Sequence, residues 1–384
     1  MLPAAQLPSA RARRFSLVDV LPSCLSALGG QRGTLHGHRG TLGLQPVSHA
    51  VVLLVDGLGL SALEARSGHA RTLSSRLGVD GPISSVFPTT TAAALATLTT
   101  GELPGQHGLV GYSVLDAAND RVVNQLTGWD DDAMTADWQR LPTLFQAADD
   151  VGLTSIAIGP ARYADSGFTR AVLRGAEYRA GGSIADRLAR AHEALAGPPA
   201  LVYVYVPELD TASHAHGLES PNWLAALEEL DAAVGRFVPG LGPTHGLLVT
   251  ADHGVIDVAH EAQIVVAAEL LRGVRHVAGE PRCLQLHLEA NESADEHAAR
   301  WRASEGSRAW VATRTEAIEA GWFGEVAPEV LPRIGDVLVA ARKRVAYYAD
   351  PDDRGRSMIG QHGSLSPDEL NIPLLRFGSW AEGR

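Results

Sequence analysis

Long, largely apolar runs recur along the chain without the polar alternation of a half-exposed strand. They are AVVLLV at Ala50–Val55, TSIAI at Thr154–Ile158, ALVYVYV at Ala200–Val206 and GLLVT at Gly246–Thr250. Such runs are typical of parallel strands that are covered on both faces. Helix-like stretches at Ser183–Ala196 and Asn222–Val238 lie between them. This alternation predicts an α/β fold, with a doubly wound, mostly parallel sheet and helices on both faces.

The alternation of strands and helices breaks between about Glu261 and Ile334. This stretch contains a strand-like run, a helix-like run and a second short apolar run, at Cys283–Leu288, Ala294–Ala303 and Ala309–Thr313. We interpret residues 261–334 as a small inserted α+β cap. The core then comprises residues 1–260, which begin with a flexible N-terminal arm, and a return segment at 335–384 that opens on the apolar run Asp336–Ala341.

Charge, apolar runs and cysteine content limit the expected binding partners and the expected location of the protein. The formal net charge is −12 over 384 residues, which argues against binding of a nucleic-acid polymer or an anionic membrane surface. No apolar run is long enough to cross a bilayer. The two cysteines, Cys24 and Cys283, are far apart, so we expect no disulfide framework and a cytoplasmic location.

Acidic and imidazole side chains follow three of the predicted strands. Asp56, Asp210 and the pair Asp252–His253 come after the first, third and fourth runs. Ligands of open α/β sheets bind outside the carboxyl ends of the strands, so these side chains are candidates for one site. His214 lies four residues after Asp210, a spacing that presents both to one point on a helical turn. Taken singly, each has an ordinary alternative as a turn, cap or loop residue, and so has His362 between its glycines.

A threonine-rich segment, FPTTTAAALATLTTG at Phe87–Gly101, supplies candidate hydroxyl groups. Thr89, Thr90 and Thr91 are all suitable N-cap residues for a helix that starts near Ala92. The N-terminus of a helix also favours an anion, so a phosphate could bind beside such a hydroxyl. A threonine hydroxyl is a weak nucleophile and needs activation by a base or a metal ion. The segment alone leaves the capping and catalytic roles open.

Taken together and in order, these segments resemble the alkaline-phosphatase superfamily, and within it the type I phosphodiesterase/nucleotide pyrophosphatase family. The resemblance extends over roughly Val51–Pro373. The matching motifs are VDG at 55–57, FPTTT at 87–91, TG at 100–101, HGLVG at 107–111, DTASH at 210–214, DHG at 252–254 and HG at 362–363. The resemblance implies an alkaline-phosphatase-like core fold.

The resemblance also implies two divalent metal ions, Zn²⁺ first and Mn²⁺ as the competitor. One ion would be held by Asp210, His214 and His362, and the other by Asp56, Asp252, His253 and the Thr91 oxygen. His216 would either contact the metal ligands without binding a metal or play no part in the site. Thr91 would attack phosphorus in line and form a phospho-threonine, which water then hydrolyses. The implied partner is a small phosphoester or phosphoanhydride, whereas the oligomeric state is not predicted.

Two departures from the family pattern concern substrate binding. Ala92 stands where relatives carry a phenylalanine that stacks on a nucleotide base, and Tyr112 stands where they carry an asparagine that contacts the phosphate. Ala92 and Tyr112 are therefore the predicted substrate-binding positions, and a nucleotide substrate becomes doubtful. A phosphomonoesterase or phosphonate hydrolase of the same superfamily is one alternative. A catalytically inactive metal-binding module is another.

Overall fold

The computed structural model describes residues 7–10, 13–29, 40–79, 81–129 and 134–381. In chain order the strands are β1 (His49–Val55), β2 (Ile83–Ser84), β3 (Ser113–Asp116), β4 (Arg121–Asn124), β5 (Thr154–Gly159), β6 (Glu177–Ala180), β7 (Ala200–Val206), β8 (His245–Ala251), β9 (Ile256–Asp257), β10 (Gln263–Val265), β11 (Val274–Glu280), β12 (Cys283–Leu288), β13 (Ala309–Thr313), β14 (Val337–Ala341), β15 (Ala346–Tyr348), β16 (Gly360–Gln361), β17 (Asn371–Ile372) and β18 (Leu374–Gly378). The α-helices are α1 (Val20–Gly29), α2 (Leu60–Ala65), α3 (Arg71–Ser74), α4 (Thr91–Thr100), α5 (Pro104–His107), α6 (Leu144–Asp149), α7 (Gly167–Val172), α8 (Ile184–Leu195), α9 (Glu208–His216), α10 (Pro221–Phe237), α11 (Ala268–Leu271), α12 (Ala294–Glu305), α13 (Arg314–Glu319) and α14 (Pro367–Leu370).

A six-stranded sheet, in the order β18-β8-β1-β7-β5-β6, forms the centre of the fold. The strands from β8 to β6 run parallel, and the edge strand β18 is antiparallel to β8. Every residue of β1 is buried, as expected for a strand that has sheet neighbours on both sides and cover on both faces. The predicted α/β class with a mostly parallel sheet is confirmed.

The predicted elements of this core agree closely with the observed ones. β7 has the predicted bounds, and β1, β5 and β8 extend their predicted runs by one or two residues in all. α8 begins with a capping box, in which the Ser183 hydroxyl accepts from the Asp186 N–H at 3.1 Å and the Asp186 carboxylate accepts from the Ser183 N–H at 3.2 Å. α10 begins at Pro221 after the N-cap Ser220, whose hydroxyl accepts from the Trp223 N–H at 3.1 Å.

A second six-stranded sheet is antiparallel throughout, in the order β13-β14-β12-β11-β3-β4. The predicted strand-like runs at Cys283–Leu288 and Ala309–Thr313 are confirmed as β12 and β13, and the helix-like run as α12. The sheet also takes β3 and β4 from the first part of the chain and β14 from the return segment. The boundaries 261–334 of the cap stay a prediction, because the sheet joins residues from inside and outside them.

The early part of the chain packs against the core where it is described. The Arg13 N–H donates to the Ser84 hydroxyl at 3.2 Å, and the Ser84 N–H donates to the Phe15 carbonyl at 2.9 Å. The rest of the predicted N-terminal arm, residues 1–6 and 11–12, lies outside the described residues.

Among the helices that the structure describes, none has both the length and the apolar character needed to span a membrane.

Candidate active site

Three carboxylates meet at the carboxyl edge of the central sheet. Asp56 directly follows β1, Asp252 directly follows β8, and Asp210 lies in α9 just after β7. Since β8, β1 and β7 are adjacent parallel strands, their ends bring these side chains together. Two groups of potential ligands result, in each of which the ligand atoms lie within 4.8 Å of one another.

The first group consists of Asp210, His214 and His362. Asp210 and His214 are one turn apart in α9, as their spacing predicted, and His214 Nε2 lies 3.1 Å from Asp210 Oδ2. His362 follows β16, near the other end of the chain, and its Nε2 lies 4.0 Å from Asp210 Oδ1. The structure thus places a helix residue pair and a distant loop histidine around one point.

The second group consists of Asp56, Asp252 and His253. His253 Nε2 lies 3.5 Å from Asp56 Oδ1 and 3.6 Å from Asp252 Oδ2. The His253 ring stacks on that of His362, with centroids 3.7 Å apart and an interplanar angle of 18°. The two groups are therefore in direct contact and form one site.

Backbone carbonyls orient all three imidazole rings. The Nδ1 atom of His214 lies 2.7 Å from the Gly360 carbonyl, that of His362 2.7 Å from the Thr89 carbonyl, and that of His253 3.2 Å from the Gly254 carbonyl. A carbonyl can only accept, so each Nδ1 carries the proton and each Nε2 presents its lone pair to the centre of the site. This arrangement is typical of metal-binding histidines.

One oxygen of each aspartate has no hydrogen-bond donor although it is buried. These atoms are Asp56 Oδ1, Asp210 Oδ1 and Asp252 Oδ2. The opposite oxygen of Asp252 is satisfied, because it accepts from the N–H groups of Gly57 at 3.1 Å and His253 at 2.8 Å. Buried acceptors without donors are rare, and three around one point fit cations as their missing partners.

The charges within the site perturb one another strongly. Burial raises the pKa of Asp56 well above its ordinary value, and the nearby carboxylates of Asp252 and Asp210 raise it further. Burial also raises the pKa of Asp210, but the attraction of His214 outweighs it and holds the pKa below the usual range. Burial and the neighbouring His253 lower the pKa of His362 well below its ordinary value. Burial lowers the pKa of His214, but the nearby Asp210 carboxylate outweighs it and raises this pKa, so a cation would compete with a proton for this pair.

Thr91 lies at the first position of α4, beside the second group. Its Oγ1 is 3.3 Å from His253 Nε2, and the residue is 8% exposed. Thr90 occupies the N-cap position, yet its side chain makes no capping hydrogen bond. α4 has ten residues, and its N-terminus lies at the same site, since Thr91 is its first residue. The hydroxyl is thus placed between the candidate ligands and an anion-favouring helix terminus.

Thr89 ties the segment that carries His362 to the start of α4. Its hydroxyl donates to the Ser364 carbonyl at 2.8 Å and accepts from the Gly363 N–H at 2.9 Å. Gly363 has a φ of 129°, and a Cβ there would lie 2.4 Å from Cγ of Glu280. Only glycine therefore fits after His362 in this HG motif.

A cavity of about 1140 Å³ opens onto the site. Asp56, Thr91, Asp210, His214 and His362 all line it. One wall is largely apolar and includes Leu95, Leu126, Phe168, Val172 and Leu173. Another wall comes from the second sheet, with Val277, Ala278, Glu280 and Leu284, and from Tyr112, which directly precedes β3. The cavity can hold a ligand well beyond the size of a phosphate ion.

The two predicted substrate-binding positions differ in their surroundings. Tyr112 is 40% exposed and lines the cavity. Ala92 is fully buried, and it is not among the lining residues of the cavity.

Two other histidines near the matching motifs lie outside the ligand groups. His216, at the end of α9, is exposed and lies outside both ligand groups. His107 of the HGLVG motif is fully buried, where burial lowers its pKa to about 3, and it pairs with the Thr97 hydroxyl at 2.9 Å.

Sequence reasoning missed the roles of three residues around the site. They are Thr89, which ties down the His362 segment, Tyr205, whose hydroxyl donates to Asp56 Oδ2, and Glu280, a buried acid in the cavity wall. The alternating tyrosines at the end of β7 were a visible signal, since a strand that is buried on both faces seldom carries hydroxyls. Glu280 carries no such signal, because its place in the site depends on how the second sheet packs.

Comparisons with known proteins agree with this architecture. Murine ectonucleotide pyrophosphatase/phosphodiesterase 5, solved as an inactive threonine-to-alanine variant in complex with AMP, is 18% identical, with a TM-score of 0.68 over 86% of this chain and 88% of that one. The human counterpart gives the same values. Phosphonoacetate hydrolase from Sinorhizobium meliloti 1021, in complex with phosphonoformate, is 18% identical, with a TM-score of 0.66 over 85% of this chain and 89% of that one.

No curated protein sequence matches the chain significantly. The family model described as type I phosphodiesterase/nucleotide pyrophosphatase matches residues 50–365, which include every candidate ligand. A match over most of the chain, on a fold shared with solved members of the superfamily, shows that the protein belongs to the type I phosphodiesterase/nucleotide pyrophosphatase family of phosphoester hydrolases, within the alkaline-phosphatase superfamily.

Proposed function

We propose that the protein is a metal-dependent phosphodiesterase in which Thr91 is the nucleophile. The observation that carries the proposal is the convergence beside Thr91 of three lone-pair-bearing Nε2 atoms and three buried carboxylate oxygens without donors. Asp210, His214 and His362 would hold one divalent cation. The second would be held by Asp56, Asp252, His253 and the Thr91 oxygen, which lies 3.3 Å from His253 Nε2.

Zn²⁺ suits the mixed aspartate and histidine donors, and Mn²⁺ is the alternative. Two bound cations would lower the pKa of the Thr91 hydroxyl and offset the negative charge on the phosphoryl oxygens. Thr91 Oγ forms a bond to phosphorus as the bond to the leaving alcohol oxygen breaks, and water then hydrolyses the phospho-threonine. The N–H groups at the start of α4 would donate to a phosphoryl oxygen during both steps.

The relatives support this assignment. The murine relative is described as inactive when alanine replaces a threonine, and it binds AMP. A small phosphoester or phosphoanhydride is therefore the substrate class that we propose here. A nucleotide specificity like that of the relatives lacks one support, because Ala92 is buried and offers no stacking surface to the cavity.

A phosphonate or monoester hydrolase is the second candidate function. The solved phosphonoacetate hydrolase, which binds phosphonoformate, favours it through a similar fold. We propose that the cavity wall from the second sheet, which includes Val277 and Leu284, decides between these substrates. A cytoplasmic location is part of the proposal too, because Cys24 and Cys283 are both buried and unpaired.

A comparison of bis-p-nitrophenyl phosphate with p-nitrophenyl phosphate tests the proposal, with Zn²⁺ or Mn²⁺ supplied to protein stripped of metal. We expect faster hydrolysis of the diester and a loss of at least about a thousandfold in kcat for Thr91→Ala, since covalent catalysis is removed. Thr100→Ala, a hydroxyl deletion at the far end of α4, is the matched control and should retain activity.

A preference for the monoester would favour the second candidate. Unchanged hydrolysis by Thr91→Ala would refute the nucleophile. If the wild-type protein binds metal yet hydrolyses neither ester nor a phosphonate, the inactive metal-binding module is the better description.

A further inference from the structure

Tyr205 connects the central sheet to one of the candidate metal ligands. It is the second-last residue of β7, which runs parallel to β1, and it lies opposite Leu54 in the register of the two strands. Asp56 follows the end of β1, and its N–H donates to the Val206 carbonyl at 2.9 Å. The strand pairing thus brings the Tyr205 hydroxyl onto the Asp56 carboxylate, where it donates a hydrogen bond to Oδ2.

We infer that Tyr205 is a positioning residue that fixes the Asp56 carboxylate for metal binding. Because Oδ2 is occupied by the tyrosine hydroxyl, Oδ1 is the oxygen that remains for a cation. Oδ1 lies 3.5 Å from His253 Nε2, on the side of the second ligand group. A hydrogen-bonded ligand is oriented before the cation arrives, which lowers the entropic cost of binding. The inference rests on the proposed metal site.

Packing holds the tyrosine ring in this orientation. The Tyr163 ring contacts it with centroids 6.0 Å apart and planes tilted by 60°. The Arg162 guanidinium lies over the Tyr163 ring, 4.6 Å from its centroid. All three residues line the cavity, so this row of side chains connects the cavity wall to Asp56.

The orientation of the Asp56 carboxylate depends on a side-chain hydroxyl, whereas that of the neighbouring Asp252 depends on backbone groups. The non-ligand oxygen of Asp252 accepts from two backbone N–H groups, of Gly57 and His253, which no side-chain substitution removes. Among the described residues, Tyr205 is the side chain that donates to Asp56 Oδ2. Loss of the hydroxyl would therefore weaken the second ligand group and leave the first group, around Asp210, intact.

Tyr203 offers a matched control. It lies two residues earlier on β7, on the same side of the strand, and it also lines the cavity. Its hydroxyl is buried and has no hydrogen-bond partner. Tyr203→Phe therefore removes the same atom from the same wall without removing a contact to a ligand.

The test is calorimetric titration of Zn²⁺ into metal-stripped wild type, Tyr205→Phe, Tyr203→Phe and Asp56→Asn. For Tyr205→Phe we expect one of the two Zn²⁺ affinities to fall by about 10–100-fold, the usual cost of losing a group that orients a metal ligand. Asp56→Asn should abolish binding in that same step, and Tyr203→Phe should leave both steps unchanged. Hydrolysis of bis-p-nitrophenyl phosphate by Tyr205→Phe should recover at saturating Zn²⁺, with KM close to the wild-type value.

Two Zn²⁺ affinities in Tyr205→Phe equal to those of the wild type would overturn the inference and leave the metal site standing. An equal loss in Tyr203→Phe would overturn it too, because the effect would then be general to the wall. A persistent rise in KM at saturating Zn²⁺ would assign Tyr205 to substrate contact instead. A wild-type protein that binds no Zn²⁺ would overturn both the inference and the proposed function. Thermal melts of the stripped variants establish that each is folded.

Discussion

The buried ion pair between Arg282 and Glu369 gives the most direct test of how the segments around the site are held together. Both side chains are fully buried, and they form two hydrogen bonds of 2.7 Å in a forked geometry. Arg282 lies in the turn between β11 and β12, whereas Glu369 lies in α14 of the return segment. The pair therefore joins the second sheet to the part of the chain that follows His362.

Each partner also holds backbone groups near the site. The Arg282 guanidinium donates to the carbonyls of Ala341, Lys343 and Val345 at 3.2, 2.9 and 2.7 Å. The Glu369 carboxylate accepts from the Ser364 N–H at 2.9 Å, two residues after His362. The Glu369 carbonyl accepts from the Gly254 N–H at 2.8 Å, next to His253.

We expect Arg282→Met to lower the free energy of unfolding by about 3–5 kcal/mol, because it leaves a buried carboxylate without its counter-charge. Arg282→Met/Glu369→Gln should recover at least about 1 kcal/mol of that loss, since the unpaired charge is then absent while an acceptor for the Ser364 N–H remains. The control is Arg179→Met, which breaks an exposed pair with Glu177 and should cost less than about 1 kcal/mol.

Urea unfolding followed by tryptophan fluorescence measures these differences, at fixed chelator and again at saturating Zn²⁺ so that metal binding does not enter the comparison. A loss of stability in Arg282→Met no larger than that in Arg179→Met would contradict the expectation. A double variant less stable than Arg282→Met would contradict it too, because the charge imbalance would then not be the cause.

Two further predictions concern the cavity and its surroundings. Ala92→Phe should destabilise the protein by about 1–3 kcal/mol through overpacking, because Ala92 is fully buried; improved nucleotide hydrolysis with unchanged urea stability would contradict this. Burial raises the pKa of Glu280 from the ordinary 4.5 to about 8, so its contribution to stability is complete below pH 4.5 and is lost as the pH rises toward 8. In thermal melts of metal-stripped protein, Glu280→Gln should therefore lose less stability than the wild type between pH 5 and pH 8; parallel losses would argue against it.

The strands and helices of the core were accessible to sequence reasoning because their signals are local. Continuous apolar runs such as Ala200–Val206 and a capping box such as that of Ser183 contain the whole of the information needed. The sheet edge that gathers Asp56, Asp210 and Asp252 follows from the same strands, since the ends of parallel strands coincide. The ligand roles of these residues remain predictions until a metal is bound.

The remaining features depend on contacts between distant segments. β3 pairs with β11 at Ser113 and Gly279, which are 166 residues apart, and no local pattern encodes that pairing. Whether Ala92 faces the cavity depends on which side of α4 packs inward, and α4 is buried at every position. The bond from Tyr205 to Asp56 likewise requires the register of β1 and β7, which the sequence alone leaves open.

The central position of β1 has a consequence for the synthesis of the protein. Its sheet neighbours β7 and β8 begin at Ala200 and His245, so His49–Val55 has no strand partner while the ribosome makes the intervening chain. An apolar strand that stays unpaired for this long during synthesis tends to bind chaperones or to aggregate. Because His362 emerges still later, a truncated chain cannot assemble the first ligand group. The second group is available once His253 has been made, so the two groups become available at different stages of synthesis.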